Sequence, residues 1–341
     1  ERQRGITIRT AVTSFDWNDY KINIVDTPGH MDFLAEVYRS LAVLDGAILV
    51  ISGKDGVQAQ TRILFHALQK MNIPTIIFIN KVDQHGIDLP SVYQSIQEKL
   101  TNHMIVMQEV VLSPEIAITD ISDLDKWDIV IAGNDELLNK YITEDFLDTQ
   151  ELKCEMRQRT RCCTLYPVYH GSAKENIGTE KLIEVITEIF FTETENIQSE
   201  LCGCVFKVEH TEQKKRVAYL RLYRGTLHLR DMILLSKKKK VKITEMNIPK
   251  NGEIVPANYA CPGEIVLLAD ENLELNGILG NENLLPRKEQ IDDPMPLLRT
   301  TVSPQKAEQR ETLLNALVEI ADSDPLLHFE IDTVTHEIIL S

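Results

Sequence analysis

Thr75-Ile76-Ile77-Phe78-Ile79-Asn80-Lys81-Val82-Asp83 is the stretch that decides how this chain folds. Residues 75–79 read as a strand with no polar face, which only a sheet covered on both sides accommodates. A polar motif, Asn80-Lys81-Val82-Asp83, follows at once. Working outward, the same alternation recurs. Residues 61–71 are helical, with Ile63, Leu64, Ala67, Leu68 and Met71 inward, and 47–51 form another continuous apolar strand. Downstream come a helix at 92–100, a strand at 165–169 and a helix at 182–190. Upstream, 10–17 and 21–25 are strand-like and joined by Asn18-Asp19-Tyr20, a hairpin turn. A helix with Phe33, Val37, Leu41 and Leu44 on one face comes next. Strands and helices in alternation, with apolar strands, predict an α/β domain with a doubly wound parallel sheet over residues 1–191.

The chain has 341 residues, 43% of them hydrophobic, enough for two or three domains. Its formal net charge of −16 excludes a generally basic nucleic-acid binder, so any RNA contact must come from a local patch. No apolar run approaches the roughly 20 residues that span a bilayer, so no membrane partner is expected. Cys154, Cys162, Cys163, Cys202, Cys204 and Cys261 fit neither a disulfide framework nor a zinc site; reduced thiols in the cytoplasm are expected. The chain opens at Glu1 and closes at Ser341 directly after an apolar run. It reads as a piece of a longer protein, so the lack of a signal peptide carries no meaning.

Residues 101–161 are polar and acidic and read as an insertion, helical towards its C-terminal end. A polar linker at 192–200 follows. After it the period changes to short strands at 201–209, 216–223, 231–235, 241–246 and 264–268, which predict a β-barrel over 200–285. Pro294 and Pro296 mark another boundary. Ser303 and Pro304 read as the N-cap and first position of a helix carrying Leu313, Leu314, Leu317 and Ile320. With a strand pair at 328–340, residues 294–341 read as the start of an α+β domain.

Three polar motifs each follow an apolar strand: Asp26-Thr27-Pro28-Gly29-His30, Asn80-Lys81-Val82-Asp83 and Gly171-Ser172-Ala173. In an open parallel sheet, ligands bind at the carboxyl ends of strands, so the three are expected to converge on one crevice. The chemistry fits a nucleoside triphosphate with its divalent cation. Asp26 offers a carboxylate near Mg2+, through a water, and Gly29 lets its backbone N–H approach the terminal phosphate. Asp83 can accept from both N–H groups on the Watson–Crick edge of guanine; adenine lacks that pair of donors. The stem of Lys81 can lie on the base face, and Ser172 and Ala173 can offer N–H groups to the base carbonyl.

The three motifs together resemble those of translational GTPases, and residues 1–8 resemble their first switch loop. That resemblance implies a P-loop GTPase-type domain binding GTP. Asp26, Pro28, Gly29, His30, Asn80, Lys81, Asp83, Ser172 and Ala173 line the nucleotide, Thr7 and Asp26 ligate Mg2+, and His30 orients the attacking water as the catalytic residue. No G-x-x-x-x-G-K-[ST] phosphate loop occurs, since Gly53-Lys54 is followed by Asp55; in the family it lies upstream of the switch loop. The chain by itself is therefore expected to bind GTP weakly or not at all. Residues 200–285 resemble the second domain of translation factors, and 294–341 the start of a ferredoxin-like third domain. From 200 to 250 there are thirteen Lys/Arg against five Asp/Glu, densest at 237–240, which fits contact with ribosomal RNA or a solvated hairpin. Segments 80–88, 165–177, 201–210, 222–231 and 296–341 are similar to tetracycline-resistance ribosomal protection proteins. That implies a cytoplasmic, monomeric GTPase that binds the bacterial ribosome and dislodges tetracycline. An elongation factor G-type translocase and a non-hydrolysing ribosome-binding module remain the alternatives.

Overall fold

The computed structural model describes residues 7, 10–30, 33–112, 116–144, 147–191, 199–211, 215–235, 240–286, 300–304, 309–323, 327, 329–331 and 337–340. Two compact units result: Leu44–Thr192, and Glu1–Val43 together with Glu193–Ser341.

The Leu44–Thr192 unit is built on four parallel strands in the order Ala47–Ser52, Thr75–Asn80, Tyr166–His170, Met104–Val106. Side chains of the Thr75–Asn80 strand alternate between two cores, which is why its sequence shows no polar face. Ile76 and Phe78 join Leu152, Met156, Val185 and Ile189 from helices Thr149–Arg161 and Thr179–Phe190. Ile77 and Ile79 join Phe65, Val92 and Ile96 from helices Ala59–Lys70 and Leu89–Lys99. Helices on both faces make the sheet doubly wound.

The 101–161 stretch contributes more than an acidic insertion would. Met104–Val106 is the edge strand of the sheet, followed by an antiparallel pair, Gln108–Val111 with Ala117–Asp120. Trp127, Val130 and Ile131, all buried, supply part of the first core. Helices Asp135–Glu144 and Thr149–Arg161 complete it, the second held by Asp148, whose side chain accepts from the Gln150 N–H.

In the other unit, antiparallel strands wrap one apolar core. Six run in the order Glu253–Pro256, Met246–Lys250, Ile265–Leu268, Arg216–Arg224, Cys202–His210, Ile278–Gly280. Val205, Leu220, Leu227, Val266 and Leu279 are fully buried inside. The Ala11–Trp17 and Tyr20–Asp26 hairpin belongs to this unit and corrects one expectation: among the described residues its strands pair only with each other, so the Asp26 motif does not end a strand of the parallel sheet. The physical reason is that the hairpin's apolar residues find their burial here. Val12 and Val25 pack on Val43, Phe206, Tyr219, Ile265 and Leu267. Ser14 donates to the Pro249 carbonyl, Lys21 pairs with Glu264, and the Asn23 amide donates to the Gly263 carbonyl.

Thr300–Val302, Ile338–Leu340 and Phe329–Ile331 form a three-stranded antiparallel sheet, with helix Arg310–Ser323 following its first strand in sequence. Ser303 and Pro304 are irregular rather than the first positions of that helix, and 305–308 lie outside the described residues. Leu317 is buried on the helix, but Ile320 is 51% exposed, so the expected apolar face is narrower.

Candidate functional site

Adjacent parallel strands end at Asn80 and His170, and the loops that follow are tied together. The Asn80 carbonyl accepts from Gly53 N–H at 2.8 Å, and the Gly171 N–H donates to the Ile79 carbonyl at 3.0 Å. Lys81 then takes the left-handed conformation, φ 68°. For a residue with a side chain that costs about 1–2 kcal/mol. The turn sends the Val82 N–H back to the Gly171 carbonyl at 3.2 Å and buries the Val82 side chain, which offsets the strain. Lys81 itself stays exposed.

The Asn80 side chain bridges the two loops. Its Oδ1 accepts from the Lys81 N–H at 2.8 Å and from the Ala173 N–H at 2.9 Å. Ser172, fully buried, donates its own N–H to the Ile177 carbonyl and accepts the Ile177 N–H, both at 2.9 Å. The N–H groups expected to serve a base carbonyl therefore already have partners inside the loop. The loop closes only because of glycine: a Cβ at Gly171 would lie 2.3 Å from the Ile177 carbonyl oxygen and 2.6 Å from Phe78. Gly178 closes the far side with φ 76°.

Asp83 carries the chemistry. The Ser172 hydroxyl hydrogen-bonds its carboxylate and is the largest influence holding its pKa below the usual carboxylate value. Lys174 and Lys81 add smaller attraction, against partial desolvation. Although the residue is only half-buried, its Oδ1 is buried and finds no hydrogen-bond partner among the described residues. A buried ionised oxygen without a donor is costly, and native proteins keep such atoms mainly where something else supplies the donor. Guanine, with adjacent ring N–H and amino donors, can supply it; adenine cannot.

The remaining predicted residues lie in the other unit. Asp26 ends the Tyr20–Asp26 strand with its side chain exposed, Pro28 is buried, and Gly29 and His30 are exposed. A Cβ at Gly29 would meet nothing within 4 Å among the described residues. The His30 ring is tilted against Phe33, and its carbonyl accepts the Phe33 N–H at 3.0 Å. Thr7 is half-buried, with 1–6 and 8–9 outside the described residues. Among the described residues no three His, Cys, Asp or Glu side chains cluster as a metal site.

Sequence reasoning missed three contributors. Lys174 flanks Asp83 electrostatically while pairing with Glu175 at 2.9 Å. Gly178 is needed at the loop closure, and its spacing from Gly171 was the available signal. The third is the pair of buried His170 and half-buried Tyr93, to which no local pattern points.

A two-sided parallel sheet with such loops at adjacent strand ends, in a chain that also builds a β-barrel, defines a nucleotide-binding protein of the translation-factor class. Residues 1–192 match the family model of the elongation factor Tu GTP binding domain, so the chain belongs to that family of GTP-binding translation factors. Residues 200–278 match elongation factor G domain 2, and 294–341 match elongation factor G domain III. The chain is similar to tetracycline resistance protein TetO of Streptococcus pneumoniae, 60% identical over all 341 residues and 53% of the relative's length. Tetracycline resistance protein TetM from transposon Tn916 of Enterococcus faecalis is 59% identical, over the same shares of the two proteins. The chain thus spans about half the length of the curated relatives it matches. A crystal structure of a Thermus thermophilus protein shares the fold, with a TM-score of 0.84 at 21% identity, covering 99% of this chain and 56% of that one.

Proposed function

We propose that the protein is a ribosome-dependent GTPase that releases tetracycline from the bacterial ribosome. The observation that carries the nucleotide reading is the buried, unpartnered Asp83 oxygen between two loops tied by Asn80. The resistance reading rests on the similarity to TetO and TetM over the whole chain. Asp83 accepts from the guanine edge, the Ser172 hydroxyl holds that carboxylate in place, and the Lys81 stem covers the base. Asn80 fixes the spacing of the loops, and Ala173 completes the rim. Asp26, Pro28, Gly29 and His30 serve the phosphate end, with Thr7 and Asp26 toward Mg2+. Bound Mg2+ would neutralise charge across the phosphates. His30 holds the attacking water in line, and one placed imidazole can matter by orders of magnitude.

By its likeness to translation factors, the protein works in the cytoplasm as a monomer. No described helix is long and apolar enough to cross a membrane. Contact with ribosomal RNA falls to fewer cations than the sequence count suggested. Lys207 and Lys215 pair with Glu209 and Glu245, and Arg216 and Arg221 bind backbone carbonyls. Lys240 and Lys242 remain exposed, opposite Leu234 and Met232 across a short ribbon; 237–239 lie outside the described residues. A housekeeping translocase would use the same nucleotide chemistry. Expression of the full-length gene in a tetracycline-sensitive strain separates the two. Raised tolerance that disappears with His30→Ala is expected; unchanged tolerance favours translocation.

A further inference from the structure

The strand Tyr166–His170 ends one residue before the Gly171-Ser172-Ala173 loop, and its last side chain points into the protein. His170 is 0% exposed. Its backbone N–H donates to the Gln108 side chain at 2.8 Å, and its Nε2 lies 2.8 Å from the Tyr93 hydroxyl. The two rings meet edge to face, with centroids 5.7 Å apart. Nδ1 is buried and has no hydrogen-bond partner among the described residues. Burial lowers the imidazole pKa to about 4, so the ring is neutral at pH 7, and burial likewise pushes the Tyr93 hydroxyl up to about 12. Neither group serves as an acid or base near neutrality, and the imidazole is closed off from solvent.

A half-satisfied histidine in a core is expensive, and an apolar residue would pack there without an orphaned nitrogen. The polar bond to Tyr93 is what an apolar residue could not supply. Tyr93 sits on helix Leu89–Lys99, which the chain enters from the Asn80–Asp83 side, with Asp88 capping its start. His170 sits at the start of the other loop. The bond between them therefore joins the supports of both halves of the base site, separately from the Asn80 bridge. We propose that His170 and Tyr93 are positioning residues for guanine recognition: their hydrogen bond keeps Ser172 in register with Asp83, so that the Asp83 carboxylate is pre-oriented for the base. This rests on the reading of these loops as the guanine site. Preorganisation of this kind lowers the cost of binding without touching the ligand.

The test uses the full-length protein. Tyr93→Phe removes one oxygen and leaves the ring packed. It is expected to weaken GDP binding about five- to tenfold, the worth of one neutral hydrogen bond. The kcat of ribosome-stimulated hydrolysis at saturating GTP stays unchanged, and KM rises. His170→Phe should weaken GDP binding similarly, the double variant no further, and His170→Gln, which can still reach the hydroxyl, should recover part of the loss. GDP affinity equal to the parent's in Tyr93→Phe would overturn the proposal, as would additive losses in the double variant. A fall in kcat and thermal midpoint together would also overturn it, since that marks a purely structural role. Asp83→Asn run alongside keeps the two readings apart. If it leaves guanine preference intact, the guanine site itself is misassigned; if it abolishes that preference while Tyr93→Phe does nothing, only the positioning role fails.

Discussion

Gly171→Ala places a methyl group where the loop has no room. Its Cβ would lie 2.3 Å from the Ile177 carbonyl oxygen and 2.6 Å from Phe78, roughly 1 Å inside ordinary contact. The Ile177 carbonyl cannot retreat freely, because it accepts the Ser172 N–H at 2.9 Å and its own N–H donates back to Ser172. Phe78 is buried in the core, so it gives little on the other side. Overpacking of this kind costs about 1–3 kcal/mol, and loss of the two Ser172–Ile177 bonds about 0.5–1.5 kcal/mol each, so the total is about 2–6 kcal/mol. Of the two tryptophans, Trp127 is buried in the Leu44–Thr192 unit and Trp17 lies in the other, so urea unfolding in a Trp17→Phe background reports this unit alone. A Gly171→Ala midpoint within experimental error of the parent would refute the claim that close backbone approach shapes the loop.

Two further outcomes follow from the same unit. Arg161 donates to the carbonyls of Glu188, Ile189 and Phe191 at the end of helix Thr179–Phe190, at 3.0, 2.7 and 3.4 Å. Arg161→Ala should destabilise the unit by about 1–2 kcal/mol in urea unfolding, with Arg161→Lys recovering little because the fork geometry is lost. His170 has its pKa lowered from 6.5 to about 4 by burial, so the unfolded chain binds more protons between those values. Stability should therefore be full above pH 6.5 and fall toward pH 4, by about 3 kcal/mol from this group at 1.36 kcal/mol per unit. Unfolding midpoints across that range, compared with His170→Phe, check it: the variant should lose this part of the slope.

The parallel sheet was legible because residues 75–79 offer no polar side to solvent, and because two polar motifs each stop a strand abruptly. The edge strand Met104–Val106 was not legible. Three residues carry too little periodicity, and the acidic stretch around them hid Trp127, Val130 and Ile131, whose partners are distant in sequence. The hairpin's own pairing could be read from its turn, but not its neighbour: Val12 and Val25 suit any apolar surface, and the barrel supplies one. At the site, residue types and spacing named Asn80, Asp83 and Ser172. The Ser172–Asp83 bond, the Asn80 bridge to Ala173 and the Tyr93–His170 pair span long sequence separations, and no local pattern encodes them.

The most direct measurement is base preference after a one-atom-scale change at Asp83, made in the full-length protein. Asp83→Asn removes a charged acceptor and puts an amide N–H2 in its place, which suits xanthine, whose carbonyl stands where guanine carries its amino group. Two hydrogen bonds to a charged group are worth about 1.5–3 kcal/mol each, so guanine affinity should fall by about 10²- to 10⁴-fold. Competition titrations of GDP against xanthosine diphosphate are predicted to show that loss together with a gain for xanthine. Equal guanine affinity in parent and variant, with no gain for xanthine, would contradict the account at its centre.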